Sequence, residues 1–393
     1  RHYTGHKTIF QFKHITEYQL EISSACNAYC PQCPRNNMGH GINPYMPRPR
    51  HLSTDIIFKQ FTPERCKMLR QIFLCGSYGD PILHPGMLDI LYHFRQHNPD
   101  IWLYIHTNGG LHDEDYWRSV GHVIGTQGQI DFGIDGLEDT LDIYRRGVNY
   151  KTVIRNARAF ISAGGRAQWN FIVFRHNQHQ INRVQKLADE YGFHNVLIRR
   201  TGRFYDFTKN QEQKYWPVAG ADGKTAMLLE LPADEQYRNP STQSIADIEG
   251  EYGDMHTYFD QTPIDCDALH GRKVAINAQG LVLPCNFFNH NLYDRRFHEA
   301  DYSPGANPLS GLGKDNQIRK LVDKYGEDSL NLYKTDLQDI FESGFWQEIV
   351  DSWSKTLAEG RIFECAMTCG RRFNKVWDQN EMDSNRRKQR AGA

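Results

Sequence analysis

Three cysteines in the spacing Cys26-x3-Cys30-x2-Cys33 follow directly on a predicted strand over residues 18–23. Thiols this dense at the mouth of a strand constrain the chain more than any other feature it has. Three thiolates so placed can hold three irons of a [4Fe–4S] cube and leave the fourth iron without a protein ligand. An open iron can chelate a small molecule and pass it an electron. A disulfide would leave one of the three cysteines odd. A structural zinc site more usually brings four ligands in two separated pairs. The position of the run after a strand favours the cube.

The rest of the composition narrows the class. The chain has 393 residues, 39% hydrophobic and 12% aromatic, enough for a substantial core in one large or two ordinary domains. Lys and Arg number 46 against 47 Asp and Glu, which argues against a general nucleic-acid or membrane-surface binder. No apolar run reaches membrane-spanning length and no signal peptide is visible, so the expected setting is the reducing cytoplasm. The nine cysteines gather toward both ends, unlike the disulfide framework of a short secreted domain. Cys66 and Cys75 have no neighbours at ligand spacing and are expected to be core residues.

Short apolar strands alternate with amphipathic helices up to about residue 200. The strands are read at 19–23, 71–75, 102–106, 130–134, 168–174 and 196–199. A helix over 151–163 places Val153, Ile154, Ala157, Phe160 and Ile161 on one face and stops at Gly164-Gly165. The segment 181–191 repeats the pattern before Gly192, and Thr62-Pro63 starts a further helix. Six such units imply a parallel sheet but are too few for a closed eight-stranded barrel. The expectation is an α/β fold, a partial, TIM-like (βα)6 barrel with its chemistry at the carboxyl ends of the strands. Polar groups follow each strand in turn: the three cysteines, Gly76-Ser77-Tyr78-Gly79-Asp80-Pro81, Thr107-Asn108, Asp135-Gly136, Arg175-His176-Asn177 and Arg199-Arg200.

These motifs, on this pattern of strands, resemble the radical S-adenosylmethionine (SAM) enzyme family. The resemblance implies a cluster on Cys26, Cys30 and Cys33 whose open iron binds the SAM amino and carboxylate groups. Reductive cleavage then yields methionine and a 5′-deoxyadenosyl radical that abstracts a substrate hydrogen. Tyr78-Gly79-Asp80-Pro81 is similar to the family's Gly-Gly-Glu-Pro motif, with Tyr for the first Gly and Asp for Glu. It assigns Gly79 and Asp80 to the SAM ammonium, Thr107 and Asn108 to its carboxylate or ribose, Asp135 to a ribose hydroxyl and Arg175 to the carboxylate. Relatives usually carry an aromatic before the third cysteine, where this chain has Gln32, with Tyr29 nearby.

From residue 203 to 262 the periodicity fades, although aromatics persist (Phe204, Tyr205, Phe207, Tyr215, Trp216, Tyr252, Tyr258, Phe259). This reads as an ordered connector that covers the barrel mouth, or as a surface excursion with its own small apolar cluster. Cys266-x13-Gly280-x4-Cys285 then frames a hairpin turning at Ala278-Gln279-Gly280, and Cys365-x3-Cys369 lies far downstream. The four cysteines resemble the auxiliary-cluster extensions called SPASM and Twitch. That resemblance implies a small α+β domain holding a second, fully ligated [4Fe–4S] cluster on Cys266, Cys285, Cys365 and Cys369. The final pair has three intervening residues where two are more usual. A structural zinc ion is the alternative. Leu337, Ile340, Phe341, Phe345, Ile349 and Trp353 form an apolar stripe, and residues 386–390 a solvated basic tail.

The expected organisation is a radical SAM barrel over 1–202, a connector over 203–262 and an auxiliary-cluster domain over 263–393. The expected activity is hydrogen abstraction from a peptide or protein. A small-molecule dehydrogenase or epimerase is the alternative, and a non-catalytic iron–sulfur electron carrier is the rival from another class. With 25 residues ahead of Cys26, no leader-recognition domain is expected before the cysteine run. The expected partners are the substrate and a reductant such as flavodoxin or ferredoxin, without nucleic acid or membrane.

Overall fold

The computed structural model describes residues 10–206, 211–240, 245–293, 316–371 and 379–381. Six strands alternate with helices through the first half: β1 (Glu17–Leu20), β2 (Gln71–Leu74), β3 (Trp102–Thr107), β4 (Gly128–Gly133), β5 (Ala167–Ile172) and β6 (Asn195–Thr201). They pair in parallel and in chain order, Glu17 beside Gln71, Gln71 beside Trp102, Leu103 beside Gly128, Ile130 beside Ala167 and Gln168 beside Asn195. Alternate side chains settle which face meets the helices. Ile72, Leu74, Leu103 and Ile105 are buried, while Gln71, Phe73, Trp102 and Tyr104 on the other face are half-buried. The first strand ends at Leu20 rather than Ser23, because Ser23 leaves the ladder to bridge His51.

The helices form where their stripes and caps place them. Tyr150–Ser162 buries Val153, Ile154, Ala157 and Phe160, and the Asn149 side chain accepts from Thr152 N at its start. Ile181–Tyr191 stops at Gly192, whose φ of +80° suits a left-handed cap. Pro63–Lys67 begins under the Thr62 hydroxyl, which accepts from Arg65 N.

Two short strands over Tyr205–Asp206 (β7) and Gln211–Glu212 (β8) precede a hairpin of β9 (Tyr215–Ala219) and β10 (Thr225–Glu230). The later hairpin, β11 (Lys273–Ile276) and β12 (Val282–Leu283), extends the barrel sheet: β11 lies parallel to β1, and β12 antiparallel to β11. At the far edge β13 (Gln379–Glu381) pairs antiparallel with β6. The order is therefore β12-β11-β1-β2-β3-β4-β5-β6-β13, with β1 and β6 not paired to each other. Gln19 on β1 and Arg199 on β6 nevertheless line one cavity with Phe73 and His106, so the sheet curls into an open barrel. The expected α/β architecture is borne out.

The stripe read over 337–353 folds as two helices, Leu337–Ile340 and Phe345–Ser352, because the chain breaks at Glu342-Ser343-Gly344. Their apolar faces join the main core, where Phe10 packs on Trp346 and Phe12 on Phe341. Within the connector, helices Ile245–Tyr252 and Met255–Gln261 build a second apolar cluster with Phe363, Ala366 and Met367. Phe207 and the basic tail 386–390 lie outside the described residues. Among those described, no helix is long and apolar enough to cross a membrane.

Candidate active site

The cysteine loop leaves the end of β1 and is tied from several sides. Cys33 N donates to Cys30 O at 3.1 Å, Asn36 N to Cys33 O at 2.9 Å, and Asn36 Nδ2 to Cys30 O at 3.2 Å. Ala28 N points at Cys26 Sγ from 3.4 Å and Arg145 Nη1 at Cys30 Sγ from 3.8 Å. Burial pushes the Cys26 thiol up, and the charges of Asp80, Cys30 and Cys33 push it further. Burial likewise lifts Cys30 to about 11, against the pull of Arg145. Thiols that raise one another's pKa stand close together, and a bound cation would take the place of their protons. Both side-chain atoms of Gln32, beside Cys33, are buried without a partner. Among the described residues, no three His, Cys, Asp or Glu side chains converge as tightly as the ligands of one metal ion. Three thiols on one loop are the donor set an iron–sulfur cluster takes.

Asp80 joins this loop to the ends of the second and third strands. It is fully buried, and its Oδ2 accepts from Asn108 N and Nδ2, each at 2.7 Å, while Oδ1 accepts from Ile82 N at 3.2 Å. Burial still holds its carboxyl above the usual range, against those donors. Asn108 Nδ2 also reaches Asn27 Oδ1 at 2.9 Å and lies 3.7 Å from Cys26 Sγ. Thr107 Oγ1 accepts from Gly109 N at 3.0 Å. Gly79 runs against the cysteine loop so closely that an added Cβ would stand 1.9 Å from Ser23 O. Gly79, Asp80, Thr107, Asn108 and the three cysteines thus share one rim.

Asp135 and Arg175 are placed differently. Asp135 is wholly buried; Oδ2 takes Arg145 Nε at 2.5 Å and Oδ1 takes Ile172 N at 2.7 Å, so both oxygens are spent on the protein. Its partner Arg145 is the group facing Cys30. Gly133 leaves room for it, since a Cβ there would meet Arg145 Nη2 at 2.4 Å. Arg175 is largely exposed and pairs with Glu230 on β10 at 3.3 Å.

Tyr78, at the position where the motif departs from the family, reaches into the C-terminal part. Its hydroxyl donates to His290 O at 2.7 Å and reaches Asn289 O at 3.2 Å. Glu21 Oε1 accepts from Tyr78 N at 2.7 Å and Gly79 N at 3.3 Å, and Oε2 accepts from Asn289 Nδ2 at 3.0 Å. Ser77 bonds to Asn286 and accepts from Asn289 Nδ2. The motif loop is therefore bolted to helix Asn286–Leu292, which starts immediately after Cys285.

The second set of cysteines is brought together. Cys365 and Cys369 lie one turn apart on helix Phe363–Cys369, so a spacing of four puts both on one face, which accounts for the three intervening residues. Asp265 N donates to Cys369 O at 2.9 Å and Ile264 bridges Gly370, which sets Cys266 beside them. A side-chain hydrogen bond with Cys369 pushes the Cys266 thiol up, reinforced by burial and the charges of Cys365 and Cys369. Burial lifts Cys285 to about 11, with Cys369 adding to it, and raises Cys365, with Cys285 and Cys369 adding. All four line a cavity of about 410 Å³ that continues into the barrel lumen at Gln19, Phe73, Cys75, His106 and Arg199.

Part of the lumen wall is polar, where barrel interiors normally pack branched apolar residues. Tyr104, His106, Gln129 and Asp131 make a hydrogen-bonded chain there, and Arg199 Nε donates to Asn170 Oδ1 at 2.8 Å. Sequence reasoning missed Glu21, Arg145, His106, Asp131 and Asn289. The alternation Tyr104-x-His106 and Gln129-x-Asp131 on predicted strands was the available signal for a polar inward face.

Residues 20–188 match the Radical SAM superfamily. No curated protein matches the chain by sequence. Among solved structures, native anSMEcpe with bound AdoMet and Cp18Cys peptide is 15% identical, with a TM-score of 0.47 over 86% of this chain and 84% of that one. Streptococcus suis SuiB bound to precursor peptide SuiA is 14% identical, with a TM-score of 0.43 over 83% and 70%. BtrN in complex with AdoMet and 2-DOIA is 10% identical, with a TM-score of 0.40 over 89% and 91%.

Proposed function

With residues 20–188 forming a radical SAM domain and the chain an enzyme of that family, we propose that it cleaves SAM reductively and directs the 5′-deoxyadenosyl radical at a hydrogen of a peptide or protein substrate. Cys26, Cys30 and Cys33 would hold the [4Fe–4S] cluster. Once bound, cluster and SAM supply the electron transfer and the radical, the chemistry the protein itself lacks. The chain's own part is binding and orientation. Gly79, having no side chain, lets the motif backbone approach the cysteine loop. Asp80 fixes the Asn108 amide, and Thr107 and Asn108 stand on the same rim for the SAM carboxylate or ribose. In this reading Asp135 serves Arg145 rather than a ribose. Cys266, Cys285, Cys365 and Cys369 would hold a second [4Fe–4S] cluster, and the reductant is a flavodoxin- or ferredoxin-type donor.

One observation carries the reading. The Asn108 amide spans Asp80 at 2.7 Å and Cys26 Sγ at 3.7 Å, which ties the SAM motif to the cysteine run. A second reading, a small-molecule dehydrogenase or epimerase, is favoured by the 410 Å³ lumen cavity, which suits a compact substrate.

The test is anaerobic reconstitution, iron analysis and reduction with dithionite in the presence of SAM. About eight irons per chain and release of 5′-deoxyadenosine are expected. Cys26→Ala should abolish the product, and Cys365→Ala should lower iron to about four per chain. A fully loaded protein that releases no 5′-deoxyadenosine refutes the activity; zinc in place of iron refutes the clusters. Adding candidate peptides and small molecules to the assay, and following which one stimulates turnover, separates the two substrate readings.

A further inference from the structure

Buried polar side chains find partners inside a folded protein, and one that finds none marks a place made for something else. Gln32, between Cys30 and Cys33 in the cysteine loop, is 5% exposed, and neither its Oε1 nor its Nε2 has a hydrogen-bond partner. Among the described residues, no other side-chain amide has both of its atoms buried and unpartnered. Burying an amide in this way lowers stability, so a loop with no use for it would be better served by an apolar side chain.

The peptide that follows Gln32 is already engaged at both ends. Gln32 O accepts from Arg203 Nη1 at 2.9 Å, and Cys33 N donates to Cys30 O at 3.1 Å. The side-chain amide is therefore the group left over to meet a ligand. Arg203 stands just past the end of β6, close enough to Tyr144 for its charge to act on that phenol. The residue after it, Phe204, is buried and packs on Phe174 at 6.2 Å, and Phe174 packs in turn on Tyr144 at 4.5 Å. Through Arg203 the amide is tied to a row of aromatic rings at the carboxyl ends of the strands.

Aromatic rings suit a flat heterocycle, and an amide offers one donor and one acceptor side by side. Adenine has the complementary edge, an amino donor beside a ring-nitrogen acceptor, and a glutamine amide pairs with it through two hydrogen bonds in base recognition. We propose that the Gln32 amide reads the adenine of bound SAM, Oε1 accepting from the amino group and Nε2 donating to the adjacent ring nitrogen, and so sets this enzyme's selectivity for an adenosyl ligand. The proposal rests on the SAM reading above and deepens it. The aromatic residue usual at this position offers apolar contact alone, whereas an amide rejects a base that leaves it unpaired.

The experiment measures binding rather than turnover, by calorimetry on anaerobically reconstituted protein. Wild type should bind SAM about 10- to 100-fold more tightly than the SAM analogue whose base is purine, without the 6-amino group. Gln32→Met keeps the length of the side chain and removes both polar atoms. It should weaken SAM by a similar factor, bind the two ligands nearly alike, and bind methionine, which carries no base, as wild type does. Unfolded by urea without ligand and at equal iron content, Gln32→Met should be at least as stable as wild type, because it removes an amide that has nothing to bond to. A glutamine with a merely structural role would leave the variant less stable. An undiminished preference for SAM in Gln32→Met, an equal loss of methionine binding, or a lower unfolding midpoint without ligand each overturns the role of Gln32 and leaves the SAM reading standing. Loaded wild type that binds no SAM overturns both.

Discussion

Asp135→Asn isolates the electrostatic support beneath the cysteine loop. The substitution keeps the side chain's size, and its oxygen can still accept from Ile172 N, now 2.7 Å from Oδ1. What it removes is the negative charge 2.5 Å from Arg145 Nε, at a pair whose Asp side chain is 0% exposed and whose Arg side chain is 20% exposed. The amide nitrogen would face the guanidinium donor to donor. Among the described residues, the Cys30 sulfur at 3.8 Å and the Tyr144 ring at 5.7 Å remain as counterparts. Breaking one side of a buried ion pair costs about 3–5 kcal/mol. Adding Arg145→Met removes the orphaned cation and should recover most of that loss, because a neutral pair carries no uncompensated charge. The assay is anaerobic urea unfolding of loaded protein followed by tryptophan fluorescence. Trp169 is a local reporter, its indole donating to Ile134 O at 2.8 Å, next to Asp135. A loss under about 1 kcal/mol, or a double variant as unstable as the two singles summed, refutes the argument.

Gly79→Ala should weaken SAM binding about 10- to 100-fold, measured by calorimetry on loaded protein, because the new Cβ would collide with Ser23 O and displace the motif loop; unchanged affinity contradicts the packing argument. Tyr78→Phe removes the hydroxyl held between Asn289 O and His290 O and should cost about 1 kcal/mol in thermal or urea unfolding, with iron content unaltered. His176 gives a pH dependence of definite sign. Burial, helped by His179, lowers its pKa to about 4, so the native state resists a proton that the unfolded chain takes up near pH 6.5. That contribution is present above pH 6.5 and fades as pH falls toward 4, a loss of about 2 kcal/mol between pH 7 and 5. His176→Asn should remove this component, and unfolding midpoints that track pH identically in the two proteins would exclude it.

Much of the fold was legible because it is local. Alternation of period two, helical stripes, a Thr62 cap and glycine stops act between residues a few positions apart, and they located six strands and the main helices to within a few residues. The cysteine run was legible for the same reason: its ligands are neighbours in the chain. The pairing of Cys266 and Cys285 with Cys365 and Cys369 was inferred from resemblance. The structure gathers the four through a backbone bond from Asp265 to Cys369 and a helix that sets the last two a turn apart.

The sequence by itself determined the parallel α/β plan and the thiols able to hold a cluster, since periodicity and spacing survive without knowledge of distant contacts. Only the tertiary structure decided which polar groups face which. It turned Asp135 to Arg145 and Arg175 to Glu230, used Tyr78 to clamp the motif loop to the helix after Cys285, and opened Cys75 onto the lumen beside His106. Those choices depend on the register of neighbouring strands and on desolvation shared among residues from 10 to 212 positions apart, and burial sets the free energy of each charge only once the whole barrel has closed around it.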